Sequence, residues 1–327
     1  MTGAMTAPLL EVRDLQTHFH TRAGVVKAVD GVSFTLQPGQ IIGLVGESGS
    51  GKTVTGFSLL GLVDPPGRIV GGSIRLDGQE MVGMAPDALR RLRGRRISMV
   101  FQDPSTTLNP VLTIGRQMVL ALQAHEPMSA AAARDRSAAM LGRVGIPDAR
   151  ARLDAYPHEF SGGMRQRVAI AIAMAHSPGV IVADEPTTAL DVSIQAQILH
   201  EMRALARESG TALIWISHDL ATVSSMAERL LVMYAGRLVE EGPTASVLRD
   251  PRHPYTRGLL DSLPATARPG QLLNQIPGTT PSLLALPPGC PFAPRCGRAT
   301  QRCSDDPPFV REPPRAFRCH HPLERVA

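Results

Sequence analysis

Short apolar runs alternate with helical patterns through the first 248 residues, and this alternation predicts the fold class. The predicted strands are residues 9–12, 32–36, 40–45, 97–101, 180–183, 213–216 and 230–233. The predicted helices are residues 51–62, 162–175 and 194–207. Because strands that alternate with helices favour parallel pairing, we expect an α/β fold with a mostly parallel sheet and helices on both faces. Segments 67–72 and 235–242 are expected to add antiparallel strands or loops.

The composition of the chain changes at residue 249. Before it, 23 basic residues balance 23 acidic ones, whereas beyond it 11 arginines stand against 6 acids, so the net charge of +5 lies in this tail. The tail also holds all four cysteines and 15 of the 28 prolines. Proline pairs exclude long helices and central strands there. We therefore predict two domains, residues 1–248 and 249–327. The second buries little core of its own, so its stability requires a partner surface, a covalent cross-link or a bound metal.

Hydropathy and composition exclude several classes of protein. No apolar run reaches about 18 residues, so no transmembrane helix is expected. The first residues lack the pattern of a signal peptide, which favours a cytosolic protein. The basic pI of about 9.4 suggests nucleic acid, but aromatic residues make up only 4%, which is poor material for stacking on bases.

A glycine-rich segment between a predicted strand and a predicted helix matches the pattern GxxxxGK[ST]. Its residues are Gly46, Glu47, Ser48, Gly49, Ser50, Gly51, Lys52 and Thr53. Glycines let successive backbone N–H groups point at phosphate oxygens, and the helix N-terminus adds partial positive charge. Lys52 supplies a cation for the β- and γ-phosphates, and Thr53 a hydroxyl for Mg²⁺. The segment predicts a binding site for a nucleoside triphosphate.

Two carboxylates follow the apolar strand predicted at residues 180–183. In parallel sheets, ligands bind at the carboxyl ends of the strands. Asp184 is placed to hold Mg²⁺, directly or through water, and Glu185 to polarise an attacking water. We therefore predict that this strand end acts together with the phosphate loop.

Further motifs make the chain resemble the ATP-binding-cassette (ABC) ATPases over nearly all of residues 9–249. The motif-bearing residues are Phe19, Gln102 in a Q-loop, Ser161, Gly162 and Gly163 in a signature motif, Asp191 in a D-loop, and His218 as a switch histidine. Phe160 and Met164 depart from the usual Leu and Gln of the signature, but the serine and glycines that contact phosphate are kept. The resemblance implies a P-loop NTPase fold with an antiparallel strand subdomain and a helical subdomain at about residues 103–176.

The resemblance also implies a mechanism. In this family two cassettes face head to tail and enclose two ATP molecules, and each signature motif contacts the γ-phosphate in the partner's phosphate loop. Phe19 would stack on adenine, and Gln102 would sense the γ-phosphate and contribute to Mg²⁺ binding. Glu185 would be the general base, with His218 holding the γ-phosphate near it.

The tail begins like the C-terminal extension of the ATPase subunits of dipeptide and oligopeptide permeases, of the type called D. The similarity lies in residues 250–260 and in the segment around Cys290 and Cys296. It implies an ATPase that powers peptide import, with a second, homologous but not identical ATPase subunit, two transmembrane subunits and an extracytoplasmic binding protein as partners. The chain would lie at the cytoplasmic face of the membrane. Import of nickel or glutathione, or a nucleic-acid-linked ABC ATPase, are the alternatives.

The cysteines predict a metal site in the tail. Cys290, Cys296, Cys303 and Cys319 have spacings of 5, 6 and 15 residues. A cytosolic protein rarely keeps structural disulfides, which favours a metal. Zinc sites usually include a shorter cysteine pair, and four converging thiolates also suit a [4Fe–4S] cluster, which some members of the resembled family hold here. The cluster is the main prediction, with zinc and free thiols as alternatives. His253, His320 and His321 are expected at the surface.

Overall fold

The structure is a computed structural model and describes residues 7–188, 190–263 and 274–324. The strands are β1 Leu10–Thr21, β2 Gly24–Leu36, β3 Ile41–Val45, β4 Gly67–Leu76, β5 Gln79–Glu80, β6 Ile97–Val100, β7 Val180–Asp184, β8 Ala212–Ser217, β9 Arg229–Tyr234, β10 Arg237–Pro243, β11 Phe309–Glu312 and β12 Arg315–Arg318. The helices are α1 Lys52–Leu60, α2 Pro86–Leu92, α3 Pro104–Thr107, α4 Ile114–Gln123, α5 Ala130–Arg143, α6 Ala149–Arg152, α7 Gly162–Ala173, α8 Val192–Ser209, α9 Leu220–Ser224, α10 Thr244–Arg249 and α11 Pro254–Asp261.

The chain divides into two compact units. The first comprises the described parts of residues 1–36, 41–82 and 215–327, and the second comprises residues 37–40 and 83–214. Strand β8 runs across the division. None of the helices in the described residues is long and apolar enough to cross a bilayer.

The first unit contains an antiparallel sheet in the order β2-β1-β4-β5. Strand β1 is longer than the predicted strand at residues 9–12, because it continues beyond a register irregularity at Asp14, whose φ is 46°. Beyond Asp14 the polar and apolar residues of β1 alternate only partly, so the sequence pattern did not predict that the strand continues. The prediction of an antiparallel addition at residues 67–72 is confirmed by β4, which pairs with β1.

Five strands of the first unit belong to the second, eight-stranded sheet and follow one another in the order β11-β12-β10-β9-β3. Strand β3 is buried along its whole length and pairs in parallel with β9. Gly43 in β3 lies so close to the next layer that a Cβ would come within 2.0 Å of Val223 Cγ1. Ala235 and Gly236, both with positive φ, turn the chain tightly from β9 into β10, so segment 235–242 supplies an antiparallel strand, one of the two outcomes expected for it.

The C-terminal extension contributes strands to this sheet. Strand β12 pairs with β10 through Glu240 opposite Phe317, and β11 continues the sheet beyond it. Phe317 and Ala316 are buried at this contact. The extension is therefore packed against the cassette strands and is part of the first unit.

The second unit combines a parallel strand pair with a group of helices. Strands β6 and β7 pair in register with Met99 opposite Val182. Helices α4 and α5 begin at Thr113 and Ser129, whose side chains accept hydrogen bonds from backbone N–H groups in the first turn. The helical core there is formed by Val119, Leu122, Ala133 and Ala175. The predicted helices at residues 162–175 and 194–207 correspond to α7 and α8.

Candidate functional site

The phosphate loop lies in the first unit, between the buried strand β3 and helix α1. Gly49 and Gly51 have φ values of 78° and 102°, which other residues adopt only with strain. A Cβ on Gly51 would also stand 2.1 Å from the carbonyl oxygen of Ala28. The glycines are therefore needed both for the curl of the loop and for its close packing.

Lys52 is folded onto this loop. Its Nζ donates hydrogen bonds to the carbonyl oxygens of Gly46, at 2.8 Å, and Glu47, at 3.1 Å. The Oγ of Ser50 is buried and has no hydrogen-bond partner among the described residues. A buried cation, an unsatisfied hydroxyl and a helix N-terminus at one loop form an arrangement suited to an anion. Thr53 follows in the first turn of α1, with its residue partly exposed.

Glu47 has an environment that the sequence did not reveal. Its carboxylate accepts two hydrogen bonds from the guanidinium of Arg295, at 2.6 and 3.0 Å, and one from Thr280 Oγ1, at 3.1 Å. Its backbone N–H donates to the hydroxyl of Tyr255 at 2.8 Å. Partial burial would raise the pKa of Glu47, but the hydrogen bonds and the charge of Arg295 hold that pKa below its ordinary value.

Phe19 lies in β1 with its ring half-buried. The ring packs over Gly67, where a Cβ would come within 2.5 Å of Phe19 Cε1. One face of an aromatic side chain is thus fixed against the backbone of β4, as a stacking platform requires. Its contact with adenine stays a prediction.

The two carboxylates predicted at the end of residues 180–183 lie in the second unit. Asp184 is the last residue of β7 and is almost fully buried. Glu185 follows with φ of 44°, a conformation that is costly for a residue with a Cβ and typical of functional positions. Its Oε2 accepts hydrogen bonds from Gln102 Nε2, at 3.3 Å, and Thr188 Oγ1, at 3.0 Å. The structure thus brings together the predicted base and the predicted Q-loop glutamine.

The signature and D-loop residues line one open cleft in the second unit. Ser161 caps α7 by accepting a hydrogen bond from the N–H of Met164, at 3.3 Å, and Gly162 and Gly163 form the first turn. Asp191 lies directly before α8 and borders the same cleft. A Cβ on Gly163 would meet Ile194 Cγ2 at 2.8 Å, so α7 approaches α8 only because this residue is glycine. The cleft exposes a helix N-terminus that is suited to an anion.

His218 lies in the first unit, exposed between β8 and α9. The next residue, Asp219, caps α9 by accepting a hydrogen bond from Ala221 N–H at 2.9 Å. The first unit therefore holds the phosphate loop, Phe19 and His218, and the second holds Gln102, the strand-end carboxylates and the signature cleft.

The four cysteines of the extension line one enclosed cavity in the first unit. All four are free of disulfides. Burial, together with the negative charges of the other three cysteines, raises the pKa of Cys319 to about 11. Among the described residues, no group of three or more His, Cys, Asp or Glu side chains is arranged to hold a metal ion. The prediction of a metal site here is thus not confirmed.

One expectation for the tail is wrong. His253 was expected at the surface, but it is buried, where its Nδ1 accepts a hydrogen bond from the N–H of Tyr255 at 3.0 Å and caps α11. Burial lowers the pKa of His253 to about 3. Arg295, between Cys290 and Cys296 in sequence, pairs with Glu47, whereas Arg298 borders the cysteine cavity. A proline directly after His253 was the available signal for a helix start.

Comparisons with known proteins identify the family to which the chain belongs. The sequence matches the family described as "ABC transporter" over residues 29–188, and "Oligopeptide/dipeptide transporter, C-terminal region" over residues 239–303. It is 51% identical over 305 residues to a putative peptide import ATP-binding protein of Brucella abortus (strain 2308), covering 93% of this chain and 92% of the relative. It is 48% identical over 319 residues to the oligopeptide transport ATP-binding protein OppD of Escherichia coli (strain K12), covering 97% and 94%.

A solved structure shares the fold. The dimeric ATP-binding cassette MJ0796, in a post-hydrolysis state bound to ADP and Pi, superposes with a TM-score of 0.65 and 25% identity. The match covers 72% of this chain and 98% of the solved one. The α/β cassette fold predicted from the motifs is thereby confirmed.

Proposed function

Because the chain belongs to the ABC transporter family and carries the oligopeptide/dipeptide transporter C-terminal region, we propose that it is the ATP-hydrolysing subunit of an importer for di- and oligopeptides. The observation that carries the proposal is the phosphate loop, with its buried Lys52, in a chain whose extension matches that of peptide importers. The relatives in Brucella abortus and Escherichia coli are named for peptide import and oligopeptide transport.

In the proposed reaction, ATP binds with its phosphates on the loop of residues 46–53 and its adenine against Phe19. Lys52 binds the β- and γ-phosphates, and Glu185 accepts a proton from the attacking water. His218 holds the γ-phosphate. The oxygens of Thr53, Asp184 and Gln102 are hard ligands of the kind that Mg²⁺ prefers, and these residues would hold the ion that neutralises phosphate charge.

The signature cleft supports a role for a second cassette. Ser161, Gly162 and Gly163 present an accessible helix N-terminus, with Asp191 at its border. We propose that they contact the ATP in the phosphate loop of a partner ATPase subunit, so that ATP joins the two cassettes. Binding then favours the closed dimer, and hydrolysis releases it by removing those contacts.

The proposed partners are a second, homologous ATPase subunit, two transmembrane permease subunits and an extracytoplasmic peptide-binding protein. The chain would work at the cytoplasmic face of the membrane, attached to the permease subunits. It would not contact the peptide, so nickel and glutathione remain the alternative cargoes. Binding energy from ATP would be used to change the conformation of the permease subunits.

An uptake experiment tests the proposal. Cells that lack the endogenous gene would receive either this chain or its Lys52→Ala variant, together with the matching permease subunits, and uptake of a labelled tripeptide would be measured. We expect uptake only with the unaltered chain, with competition by unlabelled peptides and none by nickel or glutathione. Uptake of nickel or glutathione in place of peptide would contradict the peptide assignment. Binding to RNA or DNA without any association with permease subunits would contradict the transport function.

We further propose that Cys290, Cys296, Cys303 and Cys319 hold a [4Fe–4S] cluster. One feature supports it: the four free thiols line the same cavity of the extension. A four-iron cluster occupies more space than a single ion, so it needs convergence of the thiols and not direct contact between them. The cluster would supply a covalent link between four segments of the extension.

Iron and acid-labile sulfide in anaerobically purified protein measure this directly. We expect about four of each per chain, and their loss in a Cys303→Ser variant. Zinc without iron, or the absence of both metals in protein whose thiols are all titratable, would contradict the cluster.

A further inference from the structure

The C-terminal extension holds one residue of the phosphate loop. Arg295 ends a short 3₁₀ helix, Ala293–Arg295, that lies between two of the cysteines in sequence. Its Nη1 and Nη2 donate to the carboxylate of Glu47 at 2.6 and 3.0 Å, and its Nε donates to the carbonyl of Pro277 at 2.8 Å. The arginine side chain is only 5% exposed and the glutamate side chain 27%. The pair is thus a fork-to-carboxylate contact of fixed geometry.

Two more groups from the extension hold the same residue. Thr280 donates to the carboxylate of Glu47, and Tyr255, in α11, accepts the hydrogen bond of its backbone N–H. Side chain and backbone of Glu47 are therefore both fixed from outside the loop. Because Lys52 donates to the carbonyl of Glu47, the restraint reaches the lysine that binds phosphate.

Phe292, which lines the cysteine cavity, connects that cavity to the residues that hold Glu47. The ring of Phe292, next to that cavity, packs edge-on against Tyr255 and Tyr234, with centroids 5.4 and 5.3 Å apart. Tyr234 and Tyr255 contact each other at 4.6 Å. The aromatic cluster of Tyr234, Tyr255 and Phe292 therefore connects the cysteine segment (residues 290–319) to the phosphate loop. Because close-packed side chains transmit displacements, a shift in the cysteine segment would reach the loop.

Charge gives the contact a specific role in nucleotide binding. Glu47 is an anion in a loop that receives phosphate, and it lies near enough to Lys52 for the ammonium to lower its pKa. An uncompensated carboxylate at this position would repel the phosphates and attract Lys52 away from them. Because Arg295 pairs with that carboxylate, the ammonium of Lys52 stays available to bind the phosphates of the ligand.

We propose that Arg295 is a positioning residue for nucleotide binding: it neutralises and fixes Glu47, and thereby makes the ATP affinity of the phosphate loop depend on the C-terminal extension. This inference rests on the proposed ATPase function. It adds that the extension is needed at the nucleotide site, independently of which metal its cysteines hold.

A double-mutant cycle on the full chain, in which each charge is neutralised, tests the inference. Equilibrium binding of a fluorescent ATP analogue would be measured for the unaltered chain, Arg295→Gln, Glu47→Gln and the double variant. We expect Arg295→Gln to raise the Kd about tenfold, a typical coupling for contacting charged residues. The double variant should recover most of that loss, because the unpaired carboxylate is gone. Arg295→Lys, which keeps the charge and loses the fork, should give an intermediate Kd.

Two comparisons separate this role from a general loss of structure. Arg302→Gln removes an exposed charge from the same extension and should leave the Kd unchanged. If Arg295→Gln does not fold, Tyr255→Phe, which removes only the hydroxyl that accepts from Glu47, should still raise the Kd by several-fold.

An unchanged Kd in folded Arg295→Gln, or a double variant as weak as the single one, would overturn the inference while leaving the ATPase function intact. Absence of ATP binding by the unaltered chain would instead contradict the proposed function, and the inference with it.

Discussion

The side-chain amide of Gln102 donates a hydrogen bond to the carboxylate of Glu185, with 3.3 Å between Nε2 and Oε2. Thr188 donates to the same oxygen, and the backbone of Glu185 is held in the left-handed region. The carboxylate is thus oriented by two donors from two different loops. An oriented carboxylate beside a buried aspartate is what a general base for phosphoryl transfer to water requires.

Replacement of the proposed base gives the first prediction. Glu185→Gln removes the proton acceptor but keeps the shape of the side chain, so we expect ATP hydrolysis to fall at least about 100-fold with ATP binding retained. Phosphate release and nucleotide retention, both measured on the assembled complex, check this. Unreduced ATPase activity in a complex whose sites all carry the change would show that another group acts as the base.

Lys52 gives the second prediction. Lys52→Ala removes the cation that the phosphate loop surrounds, and hydrogen bonds to charged groups contribute about 1.5–3 kcal/mol. We therefore expect ATP affinity to fall by roughly 10- to 100-fold, with the fold unchanged. Titration with a fluorescent nucleotide measures the Kd, and circular dichroism checks the fold. An ATP affinity equal to that of the unaltered chain would show that Lys52 does not bind the nucleotide.

The buried His253 predicts a pH dependence of stability. Its pKa is about 3 in the folded chain and about 6.5 when it is exposed to water, so the unfolded state binds more protons between these values. The free energy of unfolding should therefore fall as the pH drops from about 6.5 towards 3, by at most about 1.4 kcal/mol per pH unit.

A variant isolates the contribution of this histidine. His253→Asn keeps an acceptor for the N–H of Tyr255 and cannot be protonated in this range. Urea unfolding at pH 7, 6 and 5 should show a shallower loss of stability for the variant than for the unaltered chain. Parallel pH profiles for the two proteins would mean that His253 is not buried in its neutral form.

Gly289 next to the first cysteine gives the fourth prediction. Its φ is 72°, and a Cβ there would lie 2.3 Å from the carbonyl oxygen of Cys303. Gly289→Ala should therefore destabilise the cysteine segment by roughly 1–3 kcal/mol. Gly297→Ala is the matched control, because a Cβ there meets no atom within 4 Å. Thermal unfolding compares them, and equal melting temperatures would contradict the described turn.

The sequence motifs are enough to predict those parts of the candidate site whose residues lie close together in the chain. The phosphate loop, the end of β7 and the start of α7 each follow from residues close together in the chain, since a strand, a glycine turn and a helix start have short-range signals. In the structure these segments are β3 with α1, the end of β7 with Asp184 and Glu185, and the cap of α7 at Ser161.

Long-range pairs could not be predicted. Arg295 and Glu47 are far apart in sequence, and neither motif nor periodicity indicates that a tail arginine reaches the phosphate loop. The pairing of β12 with β10 was missed for the same reason, because a short strand flanked by prolines resembles an irregular segment. His253 was misplaced because its burial depends on the aromatic packing around Phe292 and not on its neighbours in the chain.

The pairing of Glu240 with Phe317 has a consequence for the order of folding. Strand β10 pairs with β9 through a local hairpin, whereas its other edge is covered by β12, which lies beyond the cysteines in the chain. We therefore expect the pairing with β9 to form first and the distant pairing with β12 later. Such distant contacts form slowly, and an uncovered strand edge in the meantime invites association with other chains. A delay in organising the cysteine segment would therefore appear first as aggregation of newly made protein, before any change in transport could be measured.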